Sequence, residues 1–322
     1  MLVFAVAVFG YIGYSTNWTE TFKALEQANV SFIILGAAIM LFAHYLRAFR
    51  WGILTKTNGF PINIRRAFYS VMTGYLVNSA TSRGGEVVRC AVTAKSEKAP
   101  VEMLVGTVVT ERIVDLFTLI FMALLGLILQ FDELFGFFKS FVIKNIINNL
   151  ESPKFWLIIT ILVILSIWSF RFLKKRQSQQ PSEGGIIQKF ISGMTGIFKL
   201  KNPTIYIISS LGIWFCYWFS MYFQLQALDI TQHLTLAASL SVVLFSTLGI
   251  IVPMPGGAGV WYFIALGLNM VYHFNSTDAN TFGVFTVAFS NILQIVLGGI
   301  SYGLLFLEMQ RADKKFDNND QI

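Results

Sequence analysis

Charged residues are scarce in this chain of 322 residues, at 13% of positions against 55% for apolar ones. A soluble globular domain carries nearer a quarter charged residues, so the composition excludes an ordinary soluble protein. Cysteine is nearly absent: Cys90 and Cys216 lie far apart, in or beside apolar segments, which argues against a structural disulfide. The three histidines (His44, His233 and His273) show no metal-ligand spacing, and neither a nucleophile–base pairing nor a nucleotide loop appears. We therefore predict no metal and no cofactor.

Long apolar runs are what the chain has instead. Apolar stretches of 18 or more residues recur along the sequence, and each of these is long enough to cross a hydrocarbon core of roughly 30 Å. The predicted full spans are residues 1–14, 30–54, 101–130, 153–173, 203–228 and 282–309. The first has neither a basic start nor a small-residue cleavage site, so we interpret it as a spanning helix and not as a signal peptide.

Two further regions are apolar but interrupted. Residues 66–94 are broken by the polar run 78–86, and residues 234–272 are broken by Pro253-Met-Pro-Gly-Gly-Ala-Gly259. Because a crossing needs about 20 residues, each region is predicted to form two half-helices that enter and leave on the same side. Irregular backbone at membrane depth is tolerated only inside protein or beside a wet cavity, so these hairpins also predict a cavity. Plain kinked spans are the alternative.

The basic residues orient the chain in the membrane. Residues 171–201 hold seven basic residues and one acidic residue, whereas residues 131–154 hold three of each. The positive-inside rule then places both termini in the cytoplasm and explains the net charge of +7 without a nucleic-acid partner. Each half becomes two spans, a re-entrant hairpin and a span, with opposite orientations, as in many transporters. We predict an all-α polytopic protein of six full spans and two hairpins, with inverted repeats at residues 1–130 and 131–322 and a cytoplasmic loop at 174–202.

One stretch of that loop has a pattern of its own. Apolar residues recur at helical spacing over residues 185–200, together with Lys189 and Lys199. This pattern is typical of a helix lying on an anionic leaflet. A simple packed loop helix is the alternative.

Charged side chains in membrane segments are costly, face the interior and are functional by default. One group lies at the break of the first hairpin, and another is Glu111-Arg112-Ile113-Val114-Asp115 inside the third span. Arginine suits phosphate or carboxylate recognition because its planar fork matches two oxygens. The residues predicted to bind a headgroup are Asn78, Arg83, Gly84, Gly85, Glu86, Arg89, Glu111, Arg112 and Asp115.

A structural ion network is the alternative for both groups. Glu86 can pair with Arg89, three residues on, and Arg112 can reach Asp115 in the same way. Glu111 and Asp115 share a helix face and need a nearby cation, for which Arg83 or Arg89 is predicted. In this alternative Arg47 or Arg50 completes the network, and in either case these two arginines are predicted to support the site.

The turn of the second hairpin is rich in proline and glycine. Prolines end the first half-helix, and glycines expose backbone N–H groups that attract anions at the start of the next. Asn291 and Gln294 in the last span are predicted to line the same cavity. A turn required only for packing is the alternative. The predicted turn residues facing an anion are Pro253, Pro255, Gly256, Gly257 and Gly259.

Four motifs resemble those of the lysylphosphatidylglycerol synthase transmembrane-region family, also called flippase-like domain proteins. They are Leu46-Arg-Ala-Phe-Arg-Trp51, Asn78…Arg83-Gly-Gly-Glu86…Arg89, Thr110-Glu-Arg-Ile-Val-Asp115 and Pro253-Met-Pro-Gly-Gly-Ala-Gly259. In bifunctional members a domain like this moves aminoacylated phosphatidylglycerol between leaflets, and a separate soluble domain synthesises that lipid. This chain has no such soluble domain, so the resemblance implies a stand-alone translocase without aminoacyl transfer.

Two departures from the family pattern bear on the cargo. Members often have proline where this chain has Thr81, and many have glutamate where it has Trp261-Tyr262. Losing that acid removes a partner for a cationic headgroup, which argues against lysyl-phosphatidylglycerol itself as the substrate. We predict a translocase in the bacterial inner membrane for a lipid with an anionic or zwitterionic headgroup, in which Arg83 and Arg89 bind the phosphate.

Two other classes of function stay open from the sequence. An intramembrane enzyme would use Glu86, Glu111 or Asp115 as acid or base, although no nucleophile accompanies them. A non-transporting accessory subunit would use the same charges only to hold its helices together. A homo-oligomer is compatible with each of these classes.

Overall fold

The structure is a computed structural model, which describes residues 16–81, 84–137, 185–251 and 254–319 and a few single positions. Within these ranges the chain forms α-helices and short 3-10 turns and contains no strand. The all-α prediction is confirmed. The helices are α1 (Trp18–Glu26), α2 (Val30–Thr57), α3 (Ile64–Ala80), α4 (Gly85–Glu97), α5 (Val101–Leu129), α6 (Phe131–Phe137), α7 (Ile186–Thr195), α8 (Pro203–Ala227), α9 (Leu236–Ile251), α10 (Ala258–Tyr272) and α11 (Ser276–Asn319).

Four helices are long and apolar enough to cross a membrane. They are α2, α5, α8 and the part of α11 up to Arg311, and they coincide with four of the six predicted spans. At about 1.5 Å per residue, each exceeds a hydrocarbon core of roughly 30 Å. The predicted spans 1–14 and 153–173 lie outside the described residues, apart from three single positions in the second and one in the first. The number of full spans therefore stays a prediction.

The helices begin where the sequence supplies caps. Asn29 Oδ1 accepts a hydrogen bond from Ser31 N at 3.0 Å at the start of α2, and Asn63 Oδ1 accepts one from Arg65 N at 3.0 Å at the start of α3. Proline opens α8 at Pro203, where its missing N–H costs nothing. These caps satisfy backbone donors that apolar surroundings would leave unpaired.

Both interrupted regions form pairs of short helices, as predicted. The pairs are α3 with α4, of 17 and 13 residues, and α9 with α10, of 16 and 15 residues. In each pair two glycines bring the backbones into contact. A Cβ atom on Gly85 would overlap the Gly74 carbonyl oxygen, and one on Gly249 would overlap the Gly259 carbonyl oxygen. The helices of each hairpin are therefore packed at backbone distance.

The two hairpins meet along α11. This helix packs against α3 and α10, and the 3-10 turn Pro255–Gly257 at the tip of the second hairpin also contacts α3. Asn291 Nδ2 on α11 donates a hydrogen bond to the Gly256 carbonyl at 2.9 Å. The turn itself needs glycine, since Gly256 and Gly257 have φ angles of +64° and +83°.

The described elements occur in the same order in each half. A long helix, a hairpin and another long helix follow one another as α2, α3–α4 and α5, and again as α8, α9–α10 and α11. The first long helices of the two halves, α2 and α8, pack extensively, and Ser220 Oγ donates to the Gly36 carbonyl at 2.9 Å. The opposite orientation of the halves stays a prediction, as does the division at residue 130.

Replacing Gly85 by alanine tests the glycine contact in the first hairpin. The added methyl group would overlap the Gly74 carbonyl oxygen, so α3 and α4 must move apart. We expect Gly85→Ala to lower the free energy of unfolding by roughly 1–3 kcal/mol, measured by denaturant titration in detergent.

Gly52→Ala on α2 is the matched control, since nothing lies within 4 Å of the added Cβ. It should be neutral or slightly stabilising, because alanine favours a helix over glycine by about 1 kcal/mol. Equal losses in both variants would contradict the contact.

Candidate functional site: a buried cluster of arginines and carboxylates

Two helices that are long and apolar enough to cross a membrane bring opposite charges together. On α2, Arg47 and Arg50 lie three residues apart and therefore on one face. On α5, Glu111 and Asp115 lie four residues apart and face them. All are buried, with Arg50 0%, Glu111 1% and Asp115 7% exposed.

Glu111 and Asp115 are each shared by more than one arginine. Asp115 accepts hydrogen bonds from Arg50 Nη1 at 2.7 Å and from Arg47 Nη2 at 3.1 Å. Glu111 Oε2 accepts one from Arg89 Nη2 on α4 at 2.6 Å, and Glu111 Oε1 lies 3.6 Å from Arg50 Nη2. Arg50 thus bridges both acids, and Arg89 ties the first hairpin to α5.

A more exposed ion pair closes the rim of the cluster. Arg112 Nη2 lies 2.7 Å from Glu86 Oε1, and Arg112 Nη1 lies 3.6 Å from Asp115 Oδ2. The Arg112 and Glu86 side chains are 44% and 37% exposed. The predicted pairing of Arg112 with Asp115 is confirmed. The predicted pairing of Glu86 with Arg89 is wrong, because Arg89 turns inward to Glu111 and leaves Glu86 to Arg112.

Neutral side chains hold the arginines in place. Tyr75 OH accepts a hydrogen bond from Arg47 Nη1 at 3.0 Å, and Ser210 Oγ on α8 accepts one from Arg50 Nη1 at 3.2 Å. The Arg89 guanidinium lies 4.2 Å from the centroid of the Trp51 ring, a cation–π contact. Trp51 Nε1 in turn donates to Thr107 Oγ1 at 2.9 Å.

Positive charge and hydrogen-bond donors are in surplus in this cluster. Among the described residues it holds four arginines (47, 50, 89 and 112) and three carboxylates (86, 111 and 115). The Nε atoms of Arg47, Arg50 and Arg89 are buried without a hydrogen-bond partner. Since buried donors are normally paired, the cluster has unused capacity for an acceptor, and its net charge favours an anionic one.

The space beside the arginines is small. A cleft of about 20 Å³ lies there, which has room for about one water and not for a lipid headgroup. A wider cavity of about 350 Å³ lies near the far end of α5, lined by Asp132, Glu133 and His273 and by no arginine. It therefore does not have the chemistry of an anion site. The residues that line the small cleft are Arg47, Val71, Gly74, Tyr75, Asn78, Gly85, Glu86, Arg89 and Arg112.

The tip of the first hairpin is held by its own polar residues. Asn78 Oδ1 accepts a hydrogen bond from Gly85 N at 2.8 Å, and Thr81 Oγ1 accepts one from Gly84 N at 3.2 Å. Asn78 thus caps the start of α4 and lines the cleft at the same time. Arg83, the first arginine predicted to bind phosphate, lies outside the described residues.

The second hairpin turn lies apart from the cleft. None of its described residues lines the space beside the arginines, although the turn contacts α3. Asn291 supports the turn through Gly256, and Gln294 is half-buried on α11. Pro253 and the side chain of Pro255 lie outside what the structure describes. An anion-facing role for this turn stays a prediction.

Comparison with known proteins matches almost the whole chain to one family. The profile of the lysylphosphatidylglycerol synthase TM region matches residues 1–298. The chain belongs to this family. Together with the four long apolar helices, that membership makes it a multi-pass membrane protein with a membrane lipid-related role.

Two curated relatives carry names that state a location and no activity. A UPF0104 membrane protein of Methanothermobacter thermautotrophicus is 25% identical over 258 residues, which cover 74% of this chain and 75% of the relative. A UPF0104 membrane protein of Methanocaldococcus jannaschii is 28% identical over 125 residues, 38% of this chain and 36% of the relative. No solved structure matches the chain.

The matched region of the family contains every residue of the cluster and both hairpins. Sequence reasoning did not single out Tyr75 or Ser210, because their contacts with the arginines depend on how α3 and α8 pack against α2. At the position of the family's frequent glutamate, Trp261 is buried on α10 and Tyr262 is exposed. The aromatic pair therefore adds no carboxylate to the site.

Removing the Glu111 charge tests the strength of the cluster. Glu111→Gln leaves Arg89 without a carboxylate partner in a buried site and removes the weaker of the two acidic contacts of Arg50, which keeps Asp115. Breaking one partner of a buried pair typically costs about 3–5 kcal/mol, so we expect a large fall in unfolding free energy in detergent. Glu102→Gln, in the first turn of the same helix, should cost less than about 1 kcal/mol. Similar losses in both would contradict the proposed strength of the cluster.

Proposed function

We propose that this protein is a lipid translocase, which moves a phospholipid or a lipid-linked polar group across the bacterial inner membrane. The observation that carries the proposal is the buried surplus of guanidinium groups with unused Nε donors. The phosphate of the headgroup would occupy these donors. The membrane lipid-related role of the family supports this cargo class.

The position of the cluster inside spanning helices supports a role in transport. Glu111 lies ten residues after Val101 in α5, a helix of 29 residues that is long and apolar enough to cross a membrane, and its side chain is buried. Charges within spanning segments are expensive and mark substrate pathways in membrane proteins. A structural helix contact alone would be made more cheaply by apolar side chains.

The small cleft implies that the site opens to receive a headgroup. With room for about one water, the cluster is closed to lipid. The proposed opening separates the rim pair Glu86–Arg112, because partly exposed ion pairs are worth only about 0–1 kcal/mol. Alternating movement of the two hairpins would then expose the site to each side in turn, as inverted-repeat transporters do.

Both termini are proposed to lie in the cytoplasm, and transport to run downhill or with a coupled ion. A cationic headgroup is disfavoured as cargo, since the described cluster already carries excess positive charge.

Replacing Arg89 by lysine tests the proposal with the charge kept. Lysine loses the planar fork and the contact with Trp51. In proteoliposomes with fluorescent phosphatidylglycerol and a leaflet-resolved quenching assay, Arg89→Lys should slow lipid movement by roughly tenfold or more. Thermal unfolding of the variant is measured in parallel, which separates a loss of transport from a loss of the fold.

The control is Arg65→Lys, an exposed arginine outside the cluster, which should keep the wild-type rate. If Arg89→Lys lowers stability, Arg112→Lys at the half-exposed rim serves in its place. A wild-type rate of lipid movement in Arg89→Lys, or in Arg112→Lys where that variant replaces it, would overturn the proposal. A new lipid product in the same vesicles would indicate an enzyme instead.

A further inference from the structure

The segment that precedes α8 has two different faces. It consists of α7 and the 3-10 turn Gly196–Lys199 that follows it directly. One face is packed against the spanning helices and the other is exposed. We call residues 186–201 the loop segment.

The inner face is docked by a glycine contact. A Cβ atom on Gly193 would overlap the Met103 carbonyl oxygen, and one on Gly106 would overlap the Phe190 carbonyl oxygen. Thr110 Oγ1, the residue before Glu111, donates a hydrogen bond to the Met194 carbonyl at 3.0 Å. The loop segment therefore lies at backbone distance on α5, next to the charged cluster.

The same segment also contacts the end of α2. Ser192 Oγ donates a hydrogen bond to Asn58 Oδ1 at 3.1 Å, and Gly196 lies against the Asn58 side chain. Since α2 carries Arg47 and Arg50 and α5 carries Glu111 and Asp115, the loop segment connects the two helices whose charges form the cluster.

The outer face combines exposed apolar side chains with lysines. Phe198 is 88% exposed and Ile186 is 65% exposed, and Ile191 is exposed between them in sequence. Lys189, Lys199 and Lys201 are also exposed, and residues 185–202 contain no acidic residue. Apolar side chains beside lysines are what a helix needs to lie in the headgroup region of an anionic leaflet.

We propose that the outer face of the loop segment binds the anionic lipid headgroups of the leaflet that it faces. The lysines supply charge complementarity, and the apolar side chains enter the boundary between headgroups and acyl chains. Through its inner face, the bound segment holds the neighbouring ends of α2 and α5 together. The proposal concerns the surrounding lipid and not the cargo, so it does not rest on the proposed translocase activity.

Hydrogen exchange of the full-length protein in nanodiscs tests this surface. One set of discs contains phosphatidylcholine alone, and the other contains phosphatidylcholine mixed with phosphatidylglycerol. Backbone amides of the loop segment should exchange more slowly in the anionic discs, by roughly fivefold for each lysine that contacts the surface. High salt should remove the difference, because it screens exposed charges.

Matched lysine variants identify the contact. Lys189→Gln/Lys199→Gln should lose the extra protection, whereas Lys23→Gln/Lys95→Gln removes two exposed lysines elsewhere and should keep it. Phe198→Ser should raise exchange in both lipid compositions, since it removes an apolar anchor. Its melting temperature reports whether the fold is retained.

Three results would overturn the proposal. Equal exchange in both lipid compositions would show that anionic headgroups do not bind the loop segment. Protection that survives Lys189→Gln/Lys199→Gln would show that these two lysines do not contact the headgroups. Protection in detergent that rises with protein concentration would assign the face to a second copy of the chain. None of these measurements involves lipid transport, so failure here is distinct from failure of the translocase proposal.

Discussion

The position of Arg50 between two carboxylates is the constraint on which the first half of the protein depends. Its side chain is fully buried and lies 2.7 Å from Asp115 and 3.6 Å from Glu111. In a medium of low dielectric, an unpaired guanidinium would cost several kcal/mol, so α2 and α5 are restricted to the register that pairs it. Arg89 then finds the second oxygen of Glu111 at 2.6 Å, and this brings the first hairpin to the same point. The same ion pairs therefore fix both the register of α2 against α5 and the position of the first hairpin.

The two hairpins are held in place in different ways. In both, glycines allow the paired helices to touch, so little space is left for lipid or water. The first hairpin is held by ions, through Arg89 and the rim residue Glu86. The second is held by a neutral hydrogen bond from Asn291 to Gly256, and its described residues bring no charge to the cluster. Any inverted symmetry of the backbone is therefore not a symmetry of charge, and the polar chemistry belongs to one half.

Local sequence spacing predicted those parts of the site that a single helix determines. The common face of Glu111 and Asp115, the reach of Arg112 and the breaks in both hairpins follow from helical periodicity, glycine and proline. The partners across helices depend on the register of α2 against α5, which packing sets and sequence distance does not. Arg47 and Arg50 were expected to support the site or, in the structural alternative, to complete its ion network, and the structure shows which acid they pair with, namely Asp115. The predicted pairing of Glu86 with Arg89 was wrong for the same reason. The packing of α4 against α5 places Arg89 beside Glu111 and Glu86 beside Arg112.

A cluster that pairs its own charges so well raises the question of how a ligand enters it. On the proposed function, the ligand enters at the rim, where the ion pair is least buried. The rim pair of Glu86 and Arg112 is more than a third exposed on each side and therefore weak, whereas the inner pairs are almost fully buried and strong. A headgroup phosphate that arrives at the rim can replace Glu86 beside Arg112 and reach the unused donor of Arg89 without breaking the Arg50 bridges. The inner network would then persist through a transport cycle, and only its outer carboxylate would exchange with the lipid.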